Sequence, residues 1–343
     1  MNDKLIYVDE KSEIPLFGLD FIGLIDRGTN LIEIKPLTFC NLKCEYCFVS
    51  CGAYSKNFIL DPNFIISQLK KLIEWKGAYD IEIHIAPYGE IFLYEPLFEL
   101  LDKLWSIDGI EIISMQTNGV MLSPEIITKL EAHNLTRLNI SLNTFNQELA
   151  AYLTNSKSYN INKLVNIIDR LLKSNIDVLL APVWFPGINE KDIRKIIEYV
   201  FSHRSQGFTD KELQIGIQKY LIYKTGRKLK KIRPKTWGYF YKQLSELEKE
   251  FNLKLKLGPR DFGLHERPIY TLDIKEGEII DVKIISQGRW KNECIGKITS
   301  EFATKILLNT PLEFSPKMIQ KQLKVKVIKS STHDNIITSF IPF

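Results

Sequence analysis

The sequence predicts an α/β protein in which six consecutive β/α units form a partial (β/α)6 barrel of the TIM type and a small β-barrel follows. Between residue 31 and about residue 257, short β-rich runs alternate with amphipathic segments of helical length, which indicates a parallel sheet. From about residue 274 onward, alternation of apolar and polar residues replaces that pattern. We therefore expect a barrel core in residues 31–257, a linker in 258–273 and the small β-barrel in 274–343.

Residues 1–30 are predicted to form an N-terminal β extension, with short strands at Leu5–Val8 and at residues 19–25 and no chemistry of its own. The six core strands are predicted at residues 31–34, 81–85, 111–116, 137–142, 177–180 and 213–218. The helices between them are predicted at residues 61–76, 96–106, 123–133, 161–174 and 190–203. Asp61 and Ser123 each precede a proline, so two of these helices begin with an N-cap residue followed by proline.

Composition excludes several classes of protein. Hydrophobic residues make up 45% of the chain and charged residues 25%, as in an ordinary soluble globular protein. No apolar stretch reaches the roughly 18 residues that a membrane span requires, and the N-terminus is too polar for a secretory signal. The five cysteines are too few and too clustered for a disulfide framework. We therefore expect a cytoplasmic protein with no membrane partner.

A cysteine-rich loop follows the first core strand, where a parallel barrel carries its catalytic groups. Cys40, Cys44 and Cys47 form a C-x3-C-x2-C array. Three thiolates at this spacing can bind three irons of a [4Fe-4S] cluster and leave the fourth iron open to a small ligand. Cys51 leaves two alternatives, a structural zinc site with four thiolates or a cluster in which all four irons have cysteine ligands.

With Tyr46 directly before the last cysteine, the loop resembles the signature of the radical S-adenosylmethionine (SAM) superfamily. The resemblance implies that the open iron binds SAM and that the reduced cluster cleaves it to a 5'-deoxyadenosyl radical. It also implies an electron donor such as a ferredoxin. The chain as a whole resembles an uncharacterised archaeal group of this superfamily.

The resemblance continues at the ends of the later strands. Gly89 and Glu90 match the end of the family's Gly-Gly-Glu segment, with Tyr88 in place of its first glycine, and a carboxylate complements the SAM ammonium group. Ser141 and Asn143 supply the hydroxyl and amide groups that the ribose and carboxylate of SAM require. The implied SAM-binding residues are Tyr46, Gly89, Glu90, Asn118, Ser141, Asn143, Val183 and Gln218.

Residues 219–245 contain nine basic residues, no acidic residue and several interleaved aromatic residues. A run of one charge sign with aromatics is typical of phosphate neutralisation combined with base stacking, although a plain surface loop followed by a helix start is the alternative. The predicted RNA-binding residues are Lys224, Arg227, Lys228, Lys230, Lys231 and Arg233.

The C-terminal segment resembles the TRAM domain, a small OB-like β-barrel often fused to tRNA-modifying enzymes. Cys294 within it is predicted to be a buried or incidental thiol, with an auxiliary catalytic thiol as the alternative. Together these features predict a radical SAM enzyme that modifies RNA, most simply tRNA. One alternative is a radical SAM enzyme that acts on a protein side chain or a small metabolite. Another is a non-catalytic iron-sulfur protein that binds RNA.

Overall fold

The computed structural model describes residues 4–309 and 312–342, and the chain divides into two compact units. Unit 1 comprises Met1–Phe39, Ala53–Ile113 and Leu264–Phe343. Unit 2 comprises Cys40–Gly52 and Ser114–Gly263. Within the described residues, every helix is too short or too polar to traverse a bilayer.

The first part of unit 1 contains a strand pair and the start of the core sheet. Its elements are β1 (Leu5–Val8), β2 (Gly23–Asp26), β3 (Leu31–Lys35), β4 (Asn57–Leu60), α1 (Pro62–Lys76), β5 (Ile81–Ile85) and α2 (Leu97–Trp105). Strands β3 and β5 are parallel, and β2 pairs antiparallel with β3 at the edge of the sheet. Strands β1 and β4 form a separate parallel pair.

Strand β6 (Ile110–Thr117) contains the boundary between the units, and the following elements belong to unit 2. They are α3 (Pro124–Ala132), β7 (Arg137–Ile140), α4 (Gln147–Thr154), α5 (Ile161–Leu171), β8 (Asp177–Leu180), β9 (Val183–Trp184), α6 (Glu190–Ser205), β10 (Leu213–Ile215), β11 (Gln218–Lys219) and α7 (Trp237–Phe251). The C-terminal half of β6 pairs in parallel with β7, β7 with β8, and β8 with β10. The residues that follow β6, β7 and β8 therefore emerge at the same edge of the sheet.

All six predicted core strands are present, as β3, β5, β6, β7, β8 and β10. The predicted helix starts are also confirmed, because Asp61 accepts a hydrogen bond from the Phe64 N–H and Ser123 accepts one from the Ile126 N–H. The strand predicted at residues 213–218 is wrong in its extent, since β10 ends at Ile215 and β11 is a separate strand that pairs with β9.

The last elements of unit 1 form a closed five-stranded barrel. Its strands are β12 (Ile279–Gln287), β13 (Glu293–Lys297), β14 (Ala303–Leu307), β15 (Gln322–Lys329) and β16 (Thr338–Phe340). They close in the order β12-β13-β14-β16-β15, in which β14 and β16 are parallel and the other pairs antiparallel. Cys294 is buried in the apolar core of this barrel, as the sequence predicted.

Candidate active site

The cysteine loop, residues 40–52, folds as a series of tight turns in unit 2. The Cys47 N–H donates to the Cys44 carbonyl oxygen at 3.2 Å, and the Ser50 N–H donates to the Cys47 carbonyl oxygen at 3.2 Å. These turns reverse the chain repeatedly, so closely spaced cysteines stay near one another. Cys40, Cys44 and Cys47 are partly exposed, whereas Cys51 is buried.

Several N–H groups already point at the sulfur atoms of this loop. The Leu42 N–H lies 3.4 Å from Cys40 Sγ, and the Cys51 N–H lies 3.4 Å from Cys47 Sγ. Asn118 Nδ2 lies 3.6 Å from Cys40 Sγ. N–H donors of this kind support ligand sulfur in iron-sulfur proteins. Three partly exposed thiols together with these donors fit a [4Fe-4S] cluster.

Burial favours the protonated form of the Cys44 thiol. Together with the charges of Cys40 and Cys47 it raises the pKa of this thiol to about 12, while the Arg227 charge acts in the opposite direction. Binding iron at Cys44 therefore requires displacement of a proton. A hydrogen bond to Cys40 and burial both raise the pKa of the Cys51 thiol.

A site for a single metal ion is not preformed in the described part of the chain. In residues 4–309 and 312–342, no three His, Cys, Asp or Glu side chains are arranged around a point that one ion could fill. A cubane cluster differs from one ion because its ligands surround a body of several atoms.

Asn118 follows β6 and is tied to the cysteine loop. Its Nδ2 donates to Asn41 Oδ1 at 2.7 Å, in addition to the contact with Cys40 Sγ. Its Oδ1 accepts from the Val120 N–H at 3.0 Å, which fixes the orientation of the amide. After the neighbouring strand β7, Ser141 Oγ accepts from Gln116 Nε2 at 3.2 Å.

Asn143 is buried and connects the cysteine loop to β9. Its Nδ2 donates to the Tyr46 hydroxyl oxygen at 2.7 Å, and its Oδ1 accepts from the Val183 N–H at 2.8 Å. The Tyr46 ring packs against the Phe185 ring with centroids 4.7 Å apart. The structure thus brings together Tyr46, Asn143 and Val183, three residues that the resemblance had placed at the SAM site.

Asn189 completes this network and was missed by the sequence analysis as a functional residue. Its side chain is fully buried, and its Nδ2 donates to the carbonyl oxygens of Asn143 and Val183, each at 2.9 Å. Its Oδ1 accepts from the Phe185 N–H at 2.8 Å. An asparagine directly before a helix usually caps that helix, so its position alone pointed to α6 rather than to Asn143.

Gln218 lies beside Val183, because β11 pairs with β9 in that register. Its N–H donates to the Pro182 carbonyl oxygen at 2.7 Å, while its side chain is exposed. The backbone of this strand end is therefore ordered by its neighbour, and the amide side chain is directed to solvent.

Gly89 and Glu90 follow β5 in unit 1. The Glu90 N–H donates to the Phe39 carbonyl oxygen at 3.0 Å, and the Glu90 side chain is buried. A Cβ atom at position 89 would lie 2.0 Å from the same carbonyl oxygen, so only glycine fits there. The Tyr88 ring makes cation–π contacts with two side chains. Lys35 Nζ lies 4.8 Å from the ring centroid, and the Arg289 guanidinium carbon lies 5.3 Å from it.

The six predicted RNA-binding residues do not all lie on one exposed surface. Five of its predicted RNA-binding residues have exposed side chains: Lys224, Lys228, Lys230, Lys231 and Arg233. Arg227 instead turns inward, and its guanidinium donates to the carbonyl oxygens of Cys44 and Cys51 at 2.7 and 3.0 Å. The expectation that Arg227 belongs to an exposed RNA surface is therefore corrected, because its hydrogen-bonding groups are directed at the cysteine loop.

Known proteins resemble this chain in sequence and in fold. The model of the radical SAM superfamily matches residues 34–200. The uncharacterized protein MJ0103 of Methanocaldococcus jannaschii is 33% identical over 98% of this chain and 80% of its own length. The GTP 3',8-cyclase of Clostridium acetobutylicum is 29% identical over 50% of this chain, which spans about half (52%) of that relative's length. The crystal structure of HydG, a maturase of the [FeFe]-hydrogenase, matches this chain with a TM-score of 0.52 at 13% identity. The match covers 74% of this chain and 56% of the HydG chain, and at this identity it is evidence of a shared fold only.

The family fixes the cofactors, since its members use a [4Fe-4S] cluster and SAM. Cys40, Cys44 and Cys47 are the residues that would hold the cluster, and the cluster supplies the electron that cleaves SAM. Around it, Asn118 orients Cys40, while Asn143 orients Tyr46. On these grounds the chain belongs to the radical SAM superfamily, with an uncharacterised archaeal protein among its relatives.

Proposed function

We propose that this radical SAM enzyme modifies RNA, with tRNA as its substrate class. The observation that carries the proposal is a surface of unit 2, here called the basic-aromatic surface, in which unpaired cations stand beside stacked aromatic rings. It consists of residues 219–242 without Arg227.

The cations of this surface are not neutralised by any carboxylate that the structure describes. Among the described residues, no carboxylate forms an ion pair with Lys224, Lys228, Lys230, Lys231 or Arg233. Elsewhere in unit 2, Arg194 pairs with Glu250 and Arg204 with Asp210. A surface that keeps its positive charge unpaired is suited to neutralising phosphates, because each contact releases a counterion.

The aromatic residues of the surface supply the second requirement for binding a single strand. Trp237 and Tyr241 are about half exposed, at 51% and 49%, and their rings stack with centroids 5.7 Å apart. Lys219 Nζ lies 4.8 Å from the centroid of the Trp237 ring. Rings held in this way can stack on bases without reading their identity.

We propose further that the C-terminal barrel is an OB-like, TRAM-like RNA-binding module. Its closed five-stranded order and its parallel third and fifth strands are consistent with a Greek-key barrel of that kind. On β15, Lys324 and Lys326 are exposed, whereas Val325 and Val327 are buried. One face of this strand thus offers cations while the other packs the barrel core.

The test is RNA binding by a variant in which Lys228, Lys230 and Lys231 are all replaced by alanine. Its matched control replaces Lys173, Lys191 and Lys195, three exposed lysines of unit 2 outside the basic-aromatic surface. Affinity for bulk tRNA is measured over a series of salt concentrations, and iron content verifies that each protein is folded.

We expect the surface variant to bind tRNA more weakly. The slope of log affinity against log salt concentration should become less steep by about two, because each of the three lost single-strand contacts contributes about 0.7. The control should keep both the affinity and the slope of the wild type. Equal binding by all three proteins would remove the basis of the proposal. Nucleoside analysis of RNA from a deletion strain and its parent then identifies the product. An unchanged nucleoside profile would favour a protein side chain or a small metabolite as the substrate.

A further inference from the structure

We propose that Arg227 is a positioning residue for the [4Fe-4S] cluster. Two of its guanidinium nitrogens close the cysteine loop, and the third donates a hydrogen bond to a sulfur atom of the bound cluster. This role concerns the cofactor of the family and does not depend on RNA being the substrate.

Arg227 binds the loop at three carbonyl groups, each belonging to a different cysteine. Its backbone N–H donates to the Cys47 carbonyl oxygen at 2.8 Å. Its Nε donates to the Cys44 carbonyl oxygen at 2.7 Å, and its Nη1 donates to the Cys51 carbonyl oxygen at 3.0 Å. One residue, 183 positions after Cys44, thus fixes the spacing of the last three cysteines.

The neighbouring residues hold Arg227 against this loop. A Cβ atom at position 226 would lie 2.6 Å from the Phe48 carbonyl oxygen, so the close approach of the two backbones requires Gly226. The Tyr223 ring packs on the Phe48 ring with centroids 5.7 Å apart. Beyond Arg227, the Leu229 N–H donates to the Tyr220 hydroxyl oxygen at 2.9 Å, and both residues are buried.

The third guanidinium nitrogen, Nη2, is buried and has no hydrogen-bond partner among the described residues. A buried donor without a partner destabilises a protein, and the effect is larger when the group is charged. The Arg227 charge is close enough to act on the thiols of Cys44 and Cys51. An acceptor that would satisfy Nη2 in these surroundings is sulfur, either a thiolate or an inorganic sulfide of the cluster.

A cation and an N–H donor beside the cluster have a defined electronic effect. Both stabilise the added negative charge of the reduced cluster and therefore raise its reduction potential. Because the segment's neighbouring lysines have exposed side chains, this effect is specific to Arg227.

The test compares Arg227→Met and Arg227→Lys with the wild type, with Lys173→Met as a control for loss of one exposed charge. Each protein is reconstituted anaerobically with iron and sulfide. Iron and sulfide per chain are measured first, and the reduction potential of the cluster is then obtained by redox titration followed by electron paramagnetic resonance. The unfolding temperature of each apoprotein and its affinity for bulk tRNA are measured in parallel.

We expect Arg227→Met to load less iron and to shift the one-electron reduction equilibrium about tenfold towards the oxidised cluster, which corresponds to about 59 mV. Arg227→Lys keeps the charge but cannot bridge two carbonyls, so it should load less iron while its cluster keeps a potential near that of the wild type. The control should match the wild type in both quantities. Neither Arg227 variant should bind tRNA more weakly.

Two results would overturn the proposal. One is an Arg227→Met protein with the full cluster at the wild-type potential. The other is an Arg227→Lys protein that carries the full cluster at the wild-type potential, because lysine can neither bridge two carbonyl oxygens nor supply a third nitrogen. If Arg227→Met loads no cluster, a cluster of near-normal potential in Arg227→Lys supports the proposal.

Discussion

Replacement of Asn143 by alanine tests how the cysteine loop is joined to the strand ends. The change removes the acceptor of the Val183 N–H and the donor to the Tyr46 hydroxyl oxygen. Because the Asn143 side chain is buried, each partner is left without its hydrogen bond at a cost of roughly 1–3 kcal/mol. Since every 1.4 kcal/mol is a factor of ten, the Val183 amide should exchange its hydrogen roughly 5–150 times faster.

The measurement is hydrogen exchange of the apoprotein, followed by mass spectrometry of peptides that span Val183. Asn146→Ala is the matched control, because the Asn146 side chain accepts from the Leu149 N–H at 2.8 Å and caps α4 in the same unit. The control should lose protection at Leu149 but not at Val183. An Asn143→Ala protein whose Val183 amide exchanges within about twofold of the wild-type rate would refute this account of the network.

Three further predictions concern the cysteine loop and unit 1. Cys51→Ala should retain four irons and SAM-dependent spectral changes, whereas alanine at any cysteine of the C-x3-C-x2-C array should abolish both. Gly89→Ala places a methyl group 2.0 Å from the Phe39 carbonyl oxygen and should weaken SAM binding to the reconstituted protein at least tenfold, measured by calorimetry. Burial raises the pKa of the Glu33 carboxyl, but two neighbouring cations outweigh it and lower the pKa to about 2. Its stabilising contribution is therefore complete above the ordinary value of 4.5 and is lost as the pH falls towards 2. The unfolding temperature of Glu33→Gln should accordingly fall less than that of the wild type when the pH is lowered from 5 to 3.

The sequence was most informative where the relevant signal is local. The cysteine spacing, the proline-marked starts of α1 and α3 and the six core strands each depend on a few consecutive residues, and the structure confirms the helix starts and the strands. Short elements escaped prediction. Strand β1 was predicted, but its partner β4, about fifty residues later, was not, and α4 spans only eight residues, so neither β4 nor α4 has a strong periodic pattern.

The orientation of Arg227 shows what local reasoning cannot provide. In the sequence this arginine is one member of a basic run, and charge pattern alone gives every member the same role. Its partners, Cys44 and Cys51, lie 183 and 176 positions earlier. Asn189 is a similar case, since its position predicts a helix cap and its hydrogen bonds instead support Asn143 and Val183.

The location of Arg227 within the basic run limits how this enzyme can be redesigned. A chimaera that exchanges residues 220–236 for those of a distant superfamily member, in order to change the molecule that is modified, would also remove a support of the iron-sulfur loop. Grafts intended to redirect the enzyme should therefore retain Gly226 and Arg227 and replace only the outward-facing positions around them.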